Sequence, residues 1–240
     1  RRVGFEVVTS PQNTPRPGDV LVIWNRSGGN EALAKRYESA GGIVLVVENG
    51  YFGRDWRNGH WYAIARGQHS GAGEWREGGK ERFDSWGVEL KPWRGGGEEI
   101  VILASRGFGS SITREPKSWP KSIMDEIKSR PIKYPVRIRP HPGPPPHDPK
   151  RFARDTANAW ACVTWGSTAG LRAIQLGIPV FYGLNRWIGA QAAYTVKYLN
   201  GDGPDVRFMG DRLPMLRRLA WSQWEISEIE RGDPFEWLLT

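Results

Sequence analysis

The chain is poor in the residues that would make several functions easy to read. Of its 240 residues one is cysteine, Cys162. A single thiol forms no internal disulfide and no cysteine-based zinc site, and inside the apolar run ACVT it reads as a buried structural group, not a nucleophile. No apolar stretch approaches the roughly 18 residues that suggest a membrane-spanning helix. The first residues lack the apolar core of a secretory signal. The expectation from these absences is a cytoplasmic protein without a transmembrane segment. No Asp-x-Asp pair occurs, so a metal-bridged diphosphate site is not expected, nor any resident metal or cofactor. No solenoid repeat is present.

What is abundant is positive charge, glycine and tryptophan. Lys and Arg number 34 against 26 Asp and Glu, a formal net charge of +8. Such a surface attracts phosphate, whether of nucleic acid, anionic lipid or nucleotides. The excess is spread along the chain, so a plain solvated surface accounts for it too. Thirteen tryptophans are unusual, and many of them must lie in the core. Flat rings of this kind stack on sugars or bases.

Strand and helix patterns alternate. Asp19 to Trp24 is a largely apolar run suited to a buried parallel strand. Asn30 to Ala40 reads as a helix that Gly41 and Gly42 end, and Ile43 to Val47 as a second buried strand. Gly53 to Gly97 has weak periodicity and reads as loops, with a linker at Arg94 to Gly97. A second array follows: strands over 99–104, 136–139, 161–164 and 178–181, helices over 118–129, 152–158 and 167–176, and terminal helices over 221–230 and 234–239. The predicted fold class is α/β. Two Rossmann-like lobes meet at a central cleft, and a C-terminal helix returns to the first lobe. The expected divisions are an acceptor lobe over 1–95, a donor-nucleotide lobe over 96–215 and terminal helices over 216–240.

Four segments could carry chemistry. In Arg137-Ile138-Arg139-Pro140-His141-Pro142, period-two alternation sets both arginines on one strand face, and His141 follows at the carboxyl end. Arg and His there suit a phosphate. A strand end before the proline-rich loop GPPPHDP fits the same residues. Gly166, Ser167 and Thr168 lie between a buried strand and a helix, where small residues allow close approach and free N–H groups favour an anion. Simple N-capping explains them equally. Glu48 ends the second strand and suits a general base, or a solvated turn at Asn49-Gly50. Arg106, Gly107, Gly109 and Ser110 form a glycine loop that lacks the Lys of a P-loop and the third Gly of a dinucleotide fingerprint. It reads as a possible substrate loop or a tight turn.

Taken together, Glu48-Asn49-Gly50, His141-Pro142 and Ser167-Thr168 resemble the acidic-x-Gly, His-Pro and Ser/Thr motifs of bacterial capsule-polysaccharide glycosyltransferases and related sialyltransferases of the GT-B fold. The order and spacing match over roughly residues 40–185. The stretches VVENGYFG, SRGFGSS, WGSTAGLRAIQLGIPVFYG and WSQWEISEIERGDPFEWLL also resemble short glycosyltransferase-like proteins of tailed phages. The resemblance implies a metal-independent enzyme with a nucleotide-sugar co-substrate. Glu48 would be the catalytic base, and His141, Ser167 and Thr168 would bind the donor. The sequence departs from the family at Asn49, where a second acidic residue is common. The expected acceptor is a hydroxymethylated pyrimidine in double-stranded phage DNA, bound by the basic surface in the host cytoplasm. The alternatives are a capsule or lipopolysaccharide acceptor, and a non-catalytic nucleotide or nucleic-acid binding module.

Overall fold

A computed structural model describes residues 6, 8–11, 14–69, 71–143, 148, 150–199 and 210–240. Residues 144–147 and 149 of the expected proline-rich loop lie outside them. In chain order the elements are β1 (Val20–Trp24), α1 (Gly29–Ser39), β2 (Ile43–Asn49), β3 (Trp61–Arg66), α2 (Glu81–Ser85), β4 (Glu99–Leu103), α3 (Trp119–Lys128), β5 (Val136–Arg139) and α4 (Arg151–Asp155). They continue with β6 (Ala159–Thr164), α5 (Thr168–Gln175), β7 (Val180–Tyr182), β8 (Tyr194–Thr195), α6 (Leu213–Ala220), β9 (Gln223–Glu225), α7 (Ile226–Arg231) and α8 (Asp233–Leu239).

The chain divides into two compact units: Arg1–Ser85 with Phe108–Arg114 and Arg217–Thr240, and Trp86–Gly107 with Glu115–Leu216. The first holds a four-stranded sheet in the order β1-β2-β3-β9. β1 and β2 run parallel and are joined by α1, the βαβ unit expected from the sequence. Leu33, Ala34 and Tyr37 of α1 pack on Leu21, Ile23, Val44 and Val46. The opposite sheet face buries Leu45 and Ile64 against Trp224 and Leu238.

Two expectations are corrected here. β3 lies inside the stretch expected to be loop and runs antiparallel to β2, with Glu48 opposite Ala63. A six-residue strand buried on both faces carries no period-two signature, so WYAIAR between glycines and arginines gives little warning. Residues 223–225, expected to be helical, form β9 against β3. The helix begins only at Ile226, after a capping box in which Glu225 accepts from Ser227 N–H at 2.7 Å and Glu228 accepts from Glu225 N–H at 2.8 Å. The first sheet is therefore mixed, and only its β1-α1-β2 portion is Rossmann-like.

The second unit has a five-stranded sheet, β5-β4-β6-β7-β8, parallel throughout. Its central strands read as unbroken apolar runs because helices cover both faces. Ile100, Ile102, Ala161, Val163 and Phe181 meet Ile123 and Ile127 of α3 in one core. Cys162 is fully buried in β6, and burial pushes its thiol up to about 12, as expected for a structural group.

Candidate functional site

In the second sheet the chain first steps from β4 out to β5, then returns past β4 to β6 and proceeds the other way. This is the flavodoxin-like strand order. The order reverses between β4 and β6, and doubly wound proteins bind ligands beyond the carboxyl ends of the strands at such a reversal. Three segments leave the sheet at that edge: Ala104–Gly107 after β4, Pro140–Gly143 after β5 and Trp165–Ser167 after β6.

His141 stands at this edge. The Gly143 N–H donates to its Nδ1 at 3.0 Å, so the neutral ring carries its proton on Nε2, a donor suited to phosphate oxygen. Ser167 is the N-cap of α5. Its Oγ accepts the Ala169 N–H at 3.2 Å, and its own N–H donates to Thr164 Oγ1 at 3.0 Å. Thr168 is the exposed first residue of that helix. Gly166 is small for packing: a Cβ there would lie 2.7 Å from Leu184 Cδ2.

Arg137 and Arg139 hold the frame of the same unit. Arg137 donates Nε and Nη2 to the two Glu99 oxygens at 2.6 and 2.9 Å, and Nη2 also donates to the Asp155 carbonyl. Arg139, buried, donates Nε to Asp155 at 2.8 Å and lies over the Phe152 ring.

The glycine loop is divided between the two units. Arg106 is exposed and Gly107 adopts φ 68°, both in the second unit. There Ser105 N–H donates to both Glu115 oxygens at 3.1 and 3.2 Å. Glu115 is buried, which raises its carboxyl above the ordinary value. Gly109 and Ser110 are buried in the first unit. Ser110 Oγ donates to Gln68 Oε1 at 2.8 Å, and a Cβ on Gly109 would lie 2.6 Å from Thr113 Oγ1 and 3.0 Å from His69 Nε2.

Glu48, in the first unit, accepts a hydrogen bond from the Tyr51 hydroxyl at 3.1 Å. The Tyr51 ring is buried. Burial first, then the Glu48 charge, raises the phenol well above its ordinary value, so it stays protonated. Gln223 of β9 accepts the Tyr51 and Phe52 N–H groups at 2.8 and 3.3 Å.

Sequence reasoning gives no role to Tyr51, Gln223 or His69, or to the Trp119–Trp165 pair, although Tyr51 and Trp165 lie in segments it singles out. The two indoles meet edge to face at 5.5 Å, beside Gly183, where a Cβ would lie 2.8 Å from Trp165. Gln223 lies 172 residues from Tyr51, and no local pattern signals that contact. Tyr51 was legible: it follows Glu48 by three residues across the Asn-Gly turn.

Among the described residues no cluster of three or more His, Cys, Asp or Glu could hold a metal ion, and no helix is long and apolar enough to cross a membrane.

The chain is thus an α/β protein whose second unit is a doubly wound parallel sheet with candidate anion-binding groups at its switch point. No family model and no curated relative matches it. Solved structures do. It is similar to the KpsC beta Kdo 2,7 transferase of Thermosulfurimonas dismutans at 14% identity and TM-score 0.54, over 91% of this chain and 86% of that one. It is also similar to the KpsC beta Kdo 2,4 transferase of the same organism at 12% identity and TM-score 0.51, over 88% and 85%. At these identities the likeness is one of fold.

Proposed function

We propose that the protein is a glycosyltransferase that moves a sugar from a nucleotide-sugar donor to an acceptor hydroxyl. The observation that carries this reading is the placement of His141 and the Ser167-capped start of α5 at the carboxyl ends of β5 and β6, beside the strand-order reversal. The fold likeness to two Kdo transferases supports it.

In this reading His141 Nε2–H and the first N–H groups of α5 hold the donor phosphate. Glu48 takes the proton of the acceptor hydroxyl as its oxygen bonds to the anomeric carbon. The bond from that carbon to the nucleotide phosphate breaks, and the electron pair leaves on phosphate, stabilised by those donors. Arg137 and Arg139 act indirectly, by fixing β4, β5 and α4. No metal is required in this scheme.

For the acceptor, the likeness to enzymes named Kdo transferases favours a saccharide hydroxyl. The net charge of +8 favours a second reading, a hydroxymethylated base in duplex DNA. The test is calorimetric titration with a panel of nucleoside mono- and diphosphates, followed by turnover of the matching nucleotide sugars with oligosaccharide or hydroxymethylated DNA. Binding of one nucleotide that His141→Ala weakens about ten- to hundredfold is expected. Absence of binding across the panel would leave a fold without this activity. DNA binding that weakens steeply with salt, together with sugar transfer to it, would select the DNA acceptor.

A further inference from the structure

Glu48 is followed in β2 by Asn49, and the polar group that accompanies its carboxylate lies elsewhere. Neighbouring residues of a strand point to opposite faces. Asn49 follows Glu48 within β2 and is exposed, so its side chain lies on the other side of the sheet from the Glu48 carboxylate. Tyr51, beyond the turn, reaches Glu48 instead, at 3.1 Å.

The direction of that hydrogen bond is set by its surroundings. The Tyr51 phenol is buried, and burial together with the Glu48 charge holds its proton on. A protonated phenol 3.1 Å from a carboxylate oxygen donates to it. Charged groups bearing on the phenol are Glu48 and Arg218, the latter paired with Glu77.

The turn that brings Tyr51 back is held from far along the chain. Gln223 is fully buried in β9 opposite Ala63, and Ala63 lies opposite Glu48. Its Oε1 takes the N–H groups of both Tyr51 and Phe52, which also fixes the orientation of the amide. Its Nε2 has no hydrogen-bond partner among the described residues. A buried amide nitrogen left unpaired costs stability, so what Gln223 contributes here is the pair of turn bonds that its Oε1 accepts.

We propose that Tyr51 is a positioning residue for Glu48: its hydroxyl orients the carboxylate and keeps it ionised as a proton acceptor, and Gln223 holds the turn that presents Tyr51. This rests on the reading of Glu48 as the base.

The test combines a direct titration with kinetics on the full chain. Glu48 is followed by carboxyl 13C NMR with labelled glutamate, its resonance assigned by its loss in Glu48→Gln. Tyr51→Phe removes the donor and should raise the Glu48 midpoint by on the order of one pH unit, a tenfold change in proton affinity. The acid limb of kcat/KM for the nucleotide sugar identified by the binding panel should move up with it, while donor affinity is unchanged. Replacing Tyr51 with 3,5-difluorotyrosine keeps the shape and strengthens the donor, so midpoint and limb should move down. That opposite sign also serves if the Phe variant folds poorly. Unmoved midpoints in both variants, with an inactive Glu48→Gln, overturn the role of Tyr51 alone. Near-native turnover in Glu48→Gln overturns the base reading itself.

Discussion

The Arg137 guanidinium on β5 closes on the Glu99 carboxylate at the start of β4, with both carboxylate oxygens engaged at 2.6 and 2.9 Å. A fork so engaged has its charge matched by a neighbour of its own sheet and is poorly placed to meet a ligand phosphate. The pair is partly exposed, with side chains 42% and 21% accessible, so it contributes modestly to stability. Arg137→Met is expected to cost about 1 kcal/mol, or a few degrees of Tm, and to leave nucleotide affinity within about twofold. A calorimetric affinity loss of tenfold or more would return Arg137 to the donor site.

Gly170 tests packing against propensity. Alanine in a helix is ordinarily favoured over glycine by about 1 kcal/mol. At Gly170, however, a Cβ would lie 2.8 Å from the ring of buried Trp187 and 3.0 Å from Thr164 Cγ2. Overpacking of this kind costs about 1–3 kcal/mol, so Gly170→Ala should lower Tm. Gly29 at the start of α1 has nothing within 4 Å of its Cβ position, and Gly29→Ala should raise Tm through about 0.4–1 kcal/mol. Opposite signs in thermal melts are the expected result. Stabilisation by both would mean that Trp187 yields its place.

Much of the second unit was legible in the sequence, because a parallel sheet announces itself as short apolar runs spaced by helices. The strands expected over 99–104 and 136–139 form as Glu99–Leu103 and Val136–Arg139. The first unit was legible only through α1 and its flanking strands. Its sheet is completed by WYAIAR, a central antiparallel strand without alternation, and by a three-residue strand drawn from the far end of the chain. The site divides in the same way. His141, Ser167 and Glu48 stand at strand ends and could be named from local pattern, and the pairing of Glu48 with Tyr51 spans three residues. What fixes them, Gln223 on the turn and Glu99 and Asp155 on the arginines, depends on which strands become neighbours, and no sequence period encodes that.

His69 gives a stability that falls in weak acid. It is 3% exposed, and its Nδ1 has no hydrogen-bond partner among the described residues. Burial, then the Arg26 charge, lowers its pKa from 6.5 to about 4. The folded state therefore binds a proton more weakly than the unfolded chain. Stability is full above about pH 6.5, is lost as pH falls toward 4, and is flat with respect to this group below that. The loss is on the order of 3 kcal/mol. Urea unfolding of the wild type and His69→Leu between these limits isolates the term from carboxylates that titrate nearby. Parallel curves for the two would mean that His69 protonates without cost.

Ser167 separates a helix cap from a ligand site, because one substitution can keep the first and disable the second. Its Oγ caps α5 by accepting the Ala169 N–H. Ser167→Ala removes the cap and should cost about 1 kcal/mol whatever else the residue does, so loss of stability alone distinguishes nothing. Ser167→Asp retains a good N-cap, and its charge also suits the helix N-terminus. Its Tm should match or exceed that of the wild type. A carboxylate at that place also occupies the N–H groups that a phosphate would use and repels the phosphate directly. If Ser167 and the start of α5 hold the donor, Ser167→Asp should lose nucleotide affinity by at least about tenfold while remaining stably folded. Ser167→Ala should lose less, since only one hydroxyl is removed. Melting curves and calorimetric titration on the same three proteins provide both readings. An Asp variant that is as stable as the wild type and binds nucleotide equally well would leave Ser167 as a cap alone, and the phosphate would have to be sought nearer His141.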